Sequence, residues 1–414
     1  MLSIFTFIVL LLSFASTFAR AASSNDQGTL QQQQKSSWPG WNGIRYWFAF
    51  GDSYTTIGFN VTKNQPSPSN PLGNPAFPGL TSSNGPNYVG YLTTKYNASL
   101  IQTVDLAFWG ATVDDSLIAA YSPIVKSIKE QVATEFFPFY TTQTKGWSSQ
   151  DTLFSVFIGI NDVANSYRVK NTSAYPLVFN EYGALVEQLY GAGARNFLFL
   201  NVPPVQYSPT TNSLGKSSEK LEADAIDEWN DMVTQLADGL RNKHPDTAVF
   251  NFDTYSLFRK VQKDPTKFKQ TEGYKNTTGF CPLYQAGTPA QDTLIASCEY
   301  PVNQYLWLNG LHVTYPMHDL LAEQLATSLS AVAPGAKPCV PTSPSFSFLS
   351  AIPFLTFPTL LLSLSYSSPT LLLSLSLSLP LSPSLLSPIS TPFSYRPSPP
   401  KNRQTFHLWS RSLI

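Results

Sequence analysis

Residues Tyr46–Asn60 read YWFAFGDSYTTIGFN, an aromatic and apolar run that breaks off in Gly51-Asp52-Ser53. Tyr46 to Phe50 carries too little polarity for a half-exposed edge and reads as a central strand buried on both faces. The glycine lets the backbone turn without a Cβ, so the run ends at the carboxyl edge of a sheet, where ligands bind in open α/β folds. A hydroxyl at that edge makes Ser53 a candidate nucleophile. The alternative is that Asp52 or Ser53 merely caps a helix.

Outward from this stretch, strand-like runs alternate with helix-like ones, the pattern of an α/β sandwich with a mostly parallel sheet. Strands are expected at 44–50, 100–106, 152–158, 196–201 and 248–252. Helices are expected at 88–96, 124–136, 177–190, 219–242 and 317–331. Between Asn60 and Pro86 runs a loop dense in Pro, Asn, Ser and Gly, and a loop of that length directly after Ser53 is expected to be functional or disordered.

Both ends of the 414-residue chain differ from this body. Ile4–Ala15, IFTFIVLLLSFA, is an apolar run too short to span a bilayer, followed by the small-residue pattern Thr17-Phe18-Ala19. It reads as a signal peptide over 1–19, with a membrane anchor as the alternative. Residues 20–37, which include QQQQ, read as a disordered leader, and the folded domain is expected over 38–335. Past Cys339 the chain turns to Ser, Pro and Leu. Leu alternates with Ser there as in a strand, but repeated prolines interrupt it, and 340–414 is expected to be disordered or noncoding sequence read through.

Export agrees with four N-glycosylation sequons, at Asn60, Asn97, Asn171 and Asn276. Cys281 and Cys298 flank a segment without strong periodicity, where a disulfide helps most in an oxidising compartment, and are expected to pair; Cys339 is left over. Formal net charge is zero, but Arg396, Lys401, Arg403 and Arg411 lie in the acid-free tail, leaving 22 of the 26 basic residues against 26 acidic ones elsewhere. Such a balance excludes a nucleic-acid surface, which needs clustered Lys and Arg. No stable membrane insertion is expected, and oligomeric state is not legible.

A serine nucleophile needs a base, and the chain has four histidines. His244 sits in a polar loop before a strand and His407 in the tail, leaving His312 and His318 in YLWLNGLHVTYPMHDLLAEQL. His318 falls in the first turn of the last helix, whereas His312 lies in the loop ahead of it, free to reach a sheet end. His312 is the better base, and its alternative is an ordinary loop histidine. Two further stretches, DLAFWGATVDD and VFIGINDVAN, end apolar strands in Gly110 and in Gly159-Ile160-Asn161-Asp162. A glycine amide and an Asn side-chain amide are suitable donors to an oxyanion.

FAFGDSYTTIGF, FWGATVDD, GIND and NGLHVT, in this order, resemble the signature blocks of the GDSL or SGNH hydrolase superfamily, with Ser53, Gly110, Asn161 and His312 as its four named residues. Tyr54, the long Pro/Asn loop and the apolar leader are most similar to fungal acetyl esterases of carbohydrate esterase family sixteen. The resemblance implies a flavodoxin-like three-layer α/β/α sandwich with a five-stranded sheet, no metal or other cofactor, and deacetylation of plant cell-wall saccharides. It further implies attack by Ser53, proton transfer through His312, and an oxyanion hole of the Ser53 and Gly110 amides and the Asn161 side chain.

The sequence departs from the superfamily three residues before the histidine, where Asn309 stands in place of Asp. Its amide oxygen can orient the His312 ring but brings no full charge. Asp319 is a weaker substitute, and Asp52 is expected to fix the turn. Trp109, Trp147 and Trp307 are candidate sugar platforms or core residues. The leading expectation is a secreted esterase for short acyl, above all acetyl, esters of carbohydrates. The alternatives are a lipase or phospholipase using the same site on longer acyl chains, and a carbohydrate-binding pseudoenzyme.

Overall fold

In the computed structural model, which describes residues 36–141, 146–169 and 171–338, five strands form one all-parallel sheet. They are β1 (Tyr46–Gly51), β2 (Gln102–Asp105), β3 (Thr152–Phe157), β4 (Asn196–Leu200) and β5 (Ala248–Phe252). Their order, β2-β1-β3-β4-β5, is the flavodoxin-like one, so the crevice at its switch point opens between the carboxyl ends of β1 and β3. All five occupy the apolar runs read as strands. β3 and β4 are buried throughout and β1 from Trp47 onward, as a sheet covered on both faces requires. Phe48 stacks on Phe154 of the neighbouring strand and takes Phe136 and Trp147 edge-on.

On one face α1 (Tyr88–Thr94) packs against α9 (Tyr315–Ser330), which also meets α8 (Thr254–Lys263). On the other, α4 (Ile160–Tyr167) and α5 (Tyr175–Gly191) pack on the long α7 (Lys216–Lys243), with the short α6 (Pro209–Ser213) beside it. The helix expected over 124–136 starts later and is not regular. α2 (Ile128–Glu130) begins behind a Ser127–Glu130 capping box, widens into a π turn over Gln131–Phe136 and continues as α3 (Phe137–Tyr140). The helices α4, α6 and α8 were not expected. α4 and α8 nonetheless bury side chains at helical spacing, Ile160, Val163 and Tyr167 in the first and Leu257, Phe258 and Val261 in the second.

Between α8 and α9 the chain is irregular and stapled. Cys281 and Cys298 are bonded, with S–S 2.06 Å, and form a small apolar cluster with Tyr284, Val302, Tyr305 and Leu308. The Asn60–Pro86 loop is ordered: the Asn74 side chain donates to the carbonyls of Asn60 and Asn64, and Leu72 is buried. Ser36 and Ser37, expected in the leader, are tied to the domain by backbone hydrogen bonds from their amides to the Gly335 and Asp246 carbonyls. The expected signal peptide, the rest of the leader, Cys339 and the 340–414 tail lie outside the described residues. No helix among the described residues is long and apolar enough to cross a membrane.

Candidate active site

Gly51 closes β1 opposite Phe157, and a Cβ on it would lie 2.5 Å from the Phe157 carbonyl oxygen. The chain then turns tightly. The amides of Thr55 and Thr56 both donate to the Asp52 carbonyl, and the Asp52 side chain accepts from the Tyr54 amide at 2.9 Å. Burial pushes the Asp52 carboxyl up to about 7, against that one amide bond. Neither Asp52 nor Ser53 caps a helix. Gln131, at the start of the π turn, grips Gly51 from the side: its Oε1 accepts the Gly51 amide and its Nε2 donates to the Gly51 carbonyl. Asp105 on β2 accepts from the Ile57 and Ala107 amides, tying together the loops that follow β1 and β2. Every one of these bonds fixes the frame on which Ser53 stands.

The histidine comes from the irregular segment. An isolated antiparallel bridge joins Trp307 to Val313, and the hairpin-like turn between them carries Asn309, Gly310 and His312. Asn309 Oδ1 accepts the amides of Leu311 at 3.0 Å and His312 at 2.8 Å, an Asx turn that closes the loop on itself. Gly310 serves close approach rather than an unusual backbone angle, since a Cβ there would meet Thr210 Oγ1 at 2.2 Å. Tyr54, next to the serine, donates from its hydroxyl to the Leu311 carbonyl at 2.7 Å and lays its ring beside His312. Nucleophile turn and histidine loop are thus joined directly.

The result is a relay. His312 Nε2 lies 2.7 Å from Ser53 Oγ, and His312 Nδ1 lies 3.1 Å from Asn309 Oδ1. Because two backbone amides already point at Asn309 Oδ1, the oxygen and not the amide nitrogen of that side chain must face the ring. Nδ1 therefore carries the hydrogen, and Nε2 presents its lone pair to the serine hydroxyl. Burial without a neighbouring carboxylate holds His312 down to about 4, so the ring is a neutral base at neutral pH.

Across Ser53 stand the candidate donors. Neither the Ser53 nor the Gly110 amide has a hydrogen-bond partner among the described residues. Gly110 adopts φ +79°, and the Tyr121 ring occupies the place of a Cβ, 2.1 Å from where one would lie. Asn161 sits in the first turn of α4, not on a strand-ending loop, and one hydrogen of its Nδ2 is spent on the Ala111 carbonyl at 2.9 Å. Its second hydrogen is unclaimed. Asp162 beside it accepts the Val113 amide at 3.0 Å, which locks α4 to the loop that bears Gly110.

Other candidates lie elsewhere. Asp319 pairs with Lys95 at 2.8 Å and takes no part in orienting His312. His318 is buried between the Tyr54 and Tyr88 rings, and His244 bonds Glu187 on the opposite side of the chain's fold. Trp147 and Trp307 are core residues, 5% and 1% exposed, which removes them as sugar platforms, while Trp109 is half-buried beside Gly58. The four sequon asparagines all sit outside helices, Asn60 and Asn171 exposed, Asn97 and Asn276 half-buried. Tyr54 and Gln131 carry site geometry that the sequence reading did not assign. Among the described residues no group of three or more His, Cys, Asp or Glu could hold a metal ion.

Residues 48–325 match the GDSL-like Lipase/Acylhydrolase family, more than half of the chain. An acetylesterase of Thermothelomyces thermophilus is 37% identical over 233 residues, 54% of this chain and 75% of the relative. A GDSL esterase/lipase of Arabidopsis thaliana is 24% identical over 67% of this chain and 84% of its own length. Among solved structures, Axe2, an acetylxylan esterase from Geobacillus stearothermophilus, aligns at 16% identity and TM-score 0.39 over 69% of this chain and 94% of that one. The chain belongs to the GDSL-like lipase/acylhydrolase family and is a carboxylic ester hydrolase of that type.

Proposed function

We propose that this protein is a secreted acetyl esterase that removes short acyl groups from plant cell-wall carbohydrates through Ser53 and His312, with Asn309 as a neutral orienter. The observation that carries the chemistry is the 2.7 Å contact from His312 Nε2 to Ser53 Oγ, with the ring fixed from behind by Asn309. Ser53 Oγ attacks the ester carbonyl carbon as its proton passes to Nε2. The oxyanion takes hydrogen bonds from the Ser53 and Gly110 amides and the free Asn161 hydrogen. The imidazolium returns the proton to the leaving alcohol oxygen as the C–O bond breaks, leaving an acyl group on Ser53. Water, giving a proton to His312, then attacks that acyl carbon; the acyl–Oγ bond breaks as the imidazolium returns the proton to Ser53 Oγ, and the acid is released.

Acetyl as the acyl group is supported by the 37% identical acetylesterase. Secretion and glycosylation are supported by the apolar run Ile4–Ala15, the four sequons and a disulfide that an oxidising compartment would preserve. Purified protein and Ser53→Ala, assayed on acetylated xylooligosaccharides and p-nitrophenyl acetate, test the reading. The parent is expected to release acetate from both, and equal release by the two proteins would refute it. A clear preference for octanoyl or palmitoyl esters would move the substrate to the lipase class.

A further inference from the structure

A groove of about 480 Å³ runs outward from His312 and Asn309, within the size range of small-molecule sites. One wall is Pro78–Gly85 from the long loop after Ser53, and the other is Gln285–Gln291 inside the Cys281–Cys298 staple. Its lining includes His312 and Asn309 but not Ser53, Gly110 or Asn161, so it opens on the histidine side of the serine, away from the candidate oxyanion donors. We propose that this groove is the leaving-alcohol subsite and that it holds an uncharged saccharide on the side chains of Gln285, Gln291 and Ser82. The proposal rests on the carbohydrate reading above and names the residues that would enforce it.

Three observations carry it. First, none of the seventeen lining residues is Asp, Glu, Lys or Arg. A phosphate head group or a uronate would find no counter-charge there, whereas hydroxyls need only neutral donors and acceptors. Second, the polar groups are available: the side-chain amides of Gln285 and Gln291 and the Ser82 hydroxyl have no hydrogen-bond partner among the described residues. Each amide offers both donor and acceptor, which suits a hydroxyl that does both. Leu80, which is exposed, adds apolar surface for the C–H face of a ring.

Third, the walls are built to stay in register although they come from opposite ends of the domain. Asn84 Nδ2 donates to Thr288 Oγ1 at 2.9 Å, and the Thr288 amide donates to Asn84 Oδ1 at 2.6 Å. Gly85 lets the Gln291 side chain come close, since a Cβ at 85 would lie 2.5 Å from Gln291 Nε2. The disulfide closes the base of the 285–291 arm. A groove held in this way loses little further freedom when a ligand enters, which favours binding.

The test uses full-length protein and the exposed pair Gln285→Ala/Gln291→Ala, whose side chains make no hydrogen bond among the described residues. The ratio of kcat/KM for acetylated xylooligosaccharide to that for p-nitrophenyl acetate is expected to fall about tenfold, mainly through KM for the saccharide ester. Unacetylated xylooligosaccharide should inhibit aryl-acetate hydrolysis competitively in the parent, and several-fold more weakly in the pair variant. An unchanged ratio together with unchanged inhibition would overturn the subsite while leaving the carbohydrate reading intact. A parent that hydrolyses the aryl acetate but not the saccharide ester would overturn both.

Discussion

Ser53 and His312 meet at 2.7 Å, yet the two regions that deliver them are built on different principles. The serine stands at the end of a central strand, flanked by β2 and β3 and clamped by Gln131, Asp52 and Asp105. The histidine stands on a loop with one isolated bridge, closed by an Asx turn and leaning on Tyr54. A sheet edge sets a position through the backbone ladders to two neighbouring strands, to which the side-chain clamps are added. A loop sets it through a few named side chains, and so can be retuned by one substitution. The departure of Asn309 from the family's acid falls on the retunable side.

The largest effect should erase the comparison altogether, because each region supplies one half of a single unit. Ser53→Ala and His312→Ala are expected to lower kcat by similar factors, about 10⁴-fold or more, and combining them should add little. A double variant far worse than either single would mean that the two residues act separately.

Next in size is the sheet side. In Gly51→Ala the new methyl would press on a backbone oxygen of the neighbouring strand that cannot rotate away, at a cost of about 2 kcal/mol of stability. Chemical denaturation reads it directly. The loop-side counterpart, Gly310→Ala, meets only the hydroxyl end of Thr210, which can turn aside, so it should cost about 1 kcal/mol or less. Equal costs would show that the histidine loop is as rigidly framed as the strand end.

The same contrast governed what the sequence disclosed. Buried strands such as Phe154–Phe157 and Phe197–Leu200 write themselves as apolar runs, and each candidate donor or nucleophile followed a run that ended in glycine. Order along the chain then fixed the topology well enough to place Ser53, Gly110 and Asn161 at one edge. The helix at Ile160–Tyr167 escaped because its start is a glycine with no side-chain cap, so GIND reads as a loop. The π turn escaped because its widened spacing has no sequence signal, and its first residue, Gln131, bonds Gly51 eighty residues away in sequence. Likewise the Asn84–Thr288 contact spans 204 residues, and no local periodicity announces it. Asn309 was visible as a departure, but its consequence was not, since the orientation of its oxygen follows from two amides seen only in the fold.

That orientation explains how a neutral residue can serve. In a Ser-His-Asp protease, an Asn in place of the acid costs about 10⁴-fold because it favours the wrong histidine tautomer. Here the Leu311 and His312 amides hold Asn309 Oδ1 toward the ring, so the tautomer is right and only the charge is missing. The same two amides would keep a carboxylate ionised at this position, since hydrogen bonds to the charged form lower a carboxyl pKa.

Asn309→Asp therefore tests the central claim most directly, through the pH dependence of kcat/KM on p-nitrophenyl acetate. In the parent, His312 is held down to about 4, so activity should persist in acid and fall only as the pH approaches that value and the base becomes protonated. A carboxylate at 309 favours the imidazolium, so in the variant the acid limb should move to higher pH, and turnover at neutral pH should rise by at least about tenfold, or ~1.4 kcal/mol off the barrier. Superimposable profiles with equal turnover would contradict the account, because Asn309 would then have no part in setting the base.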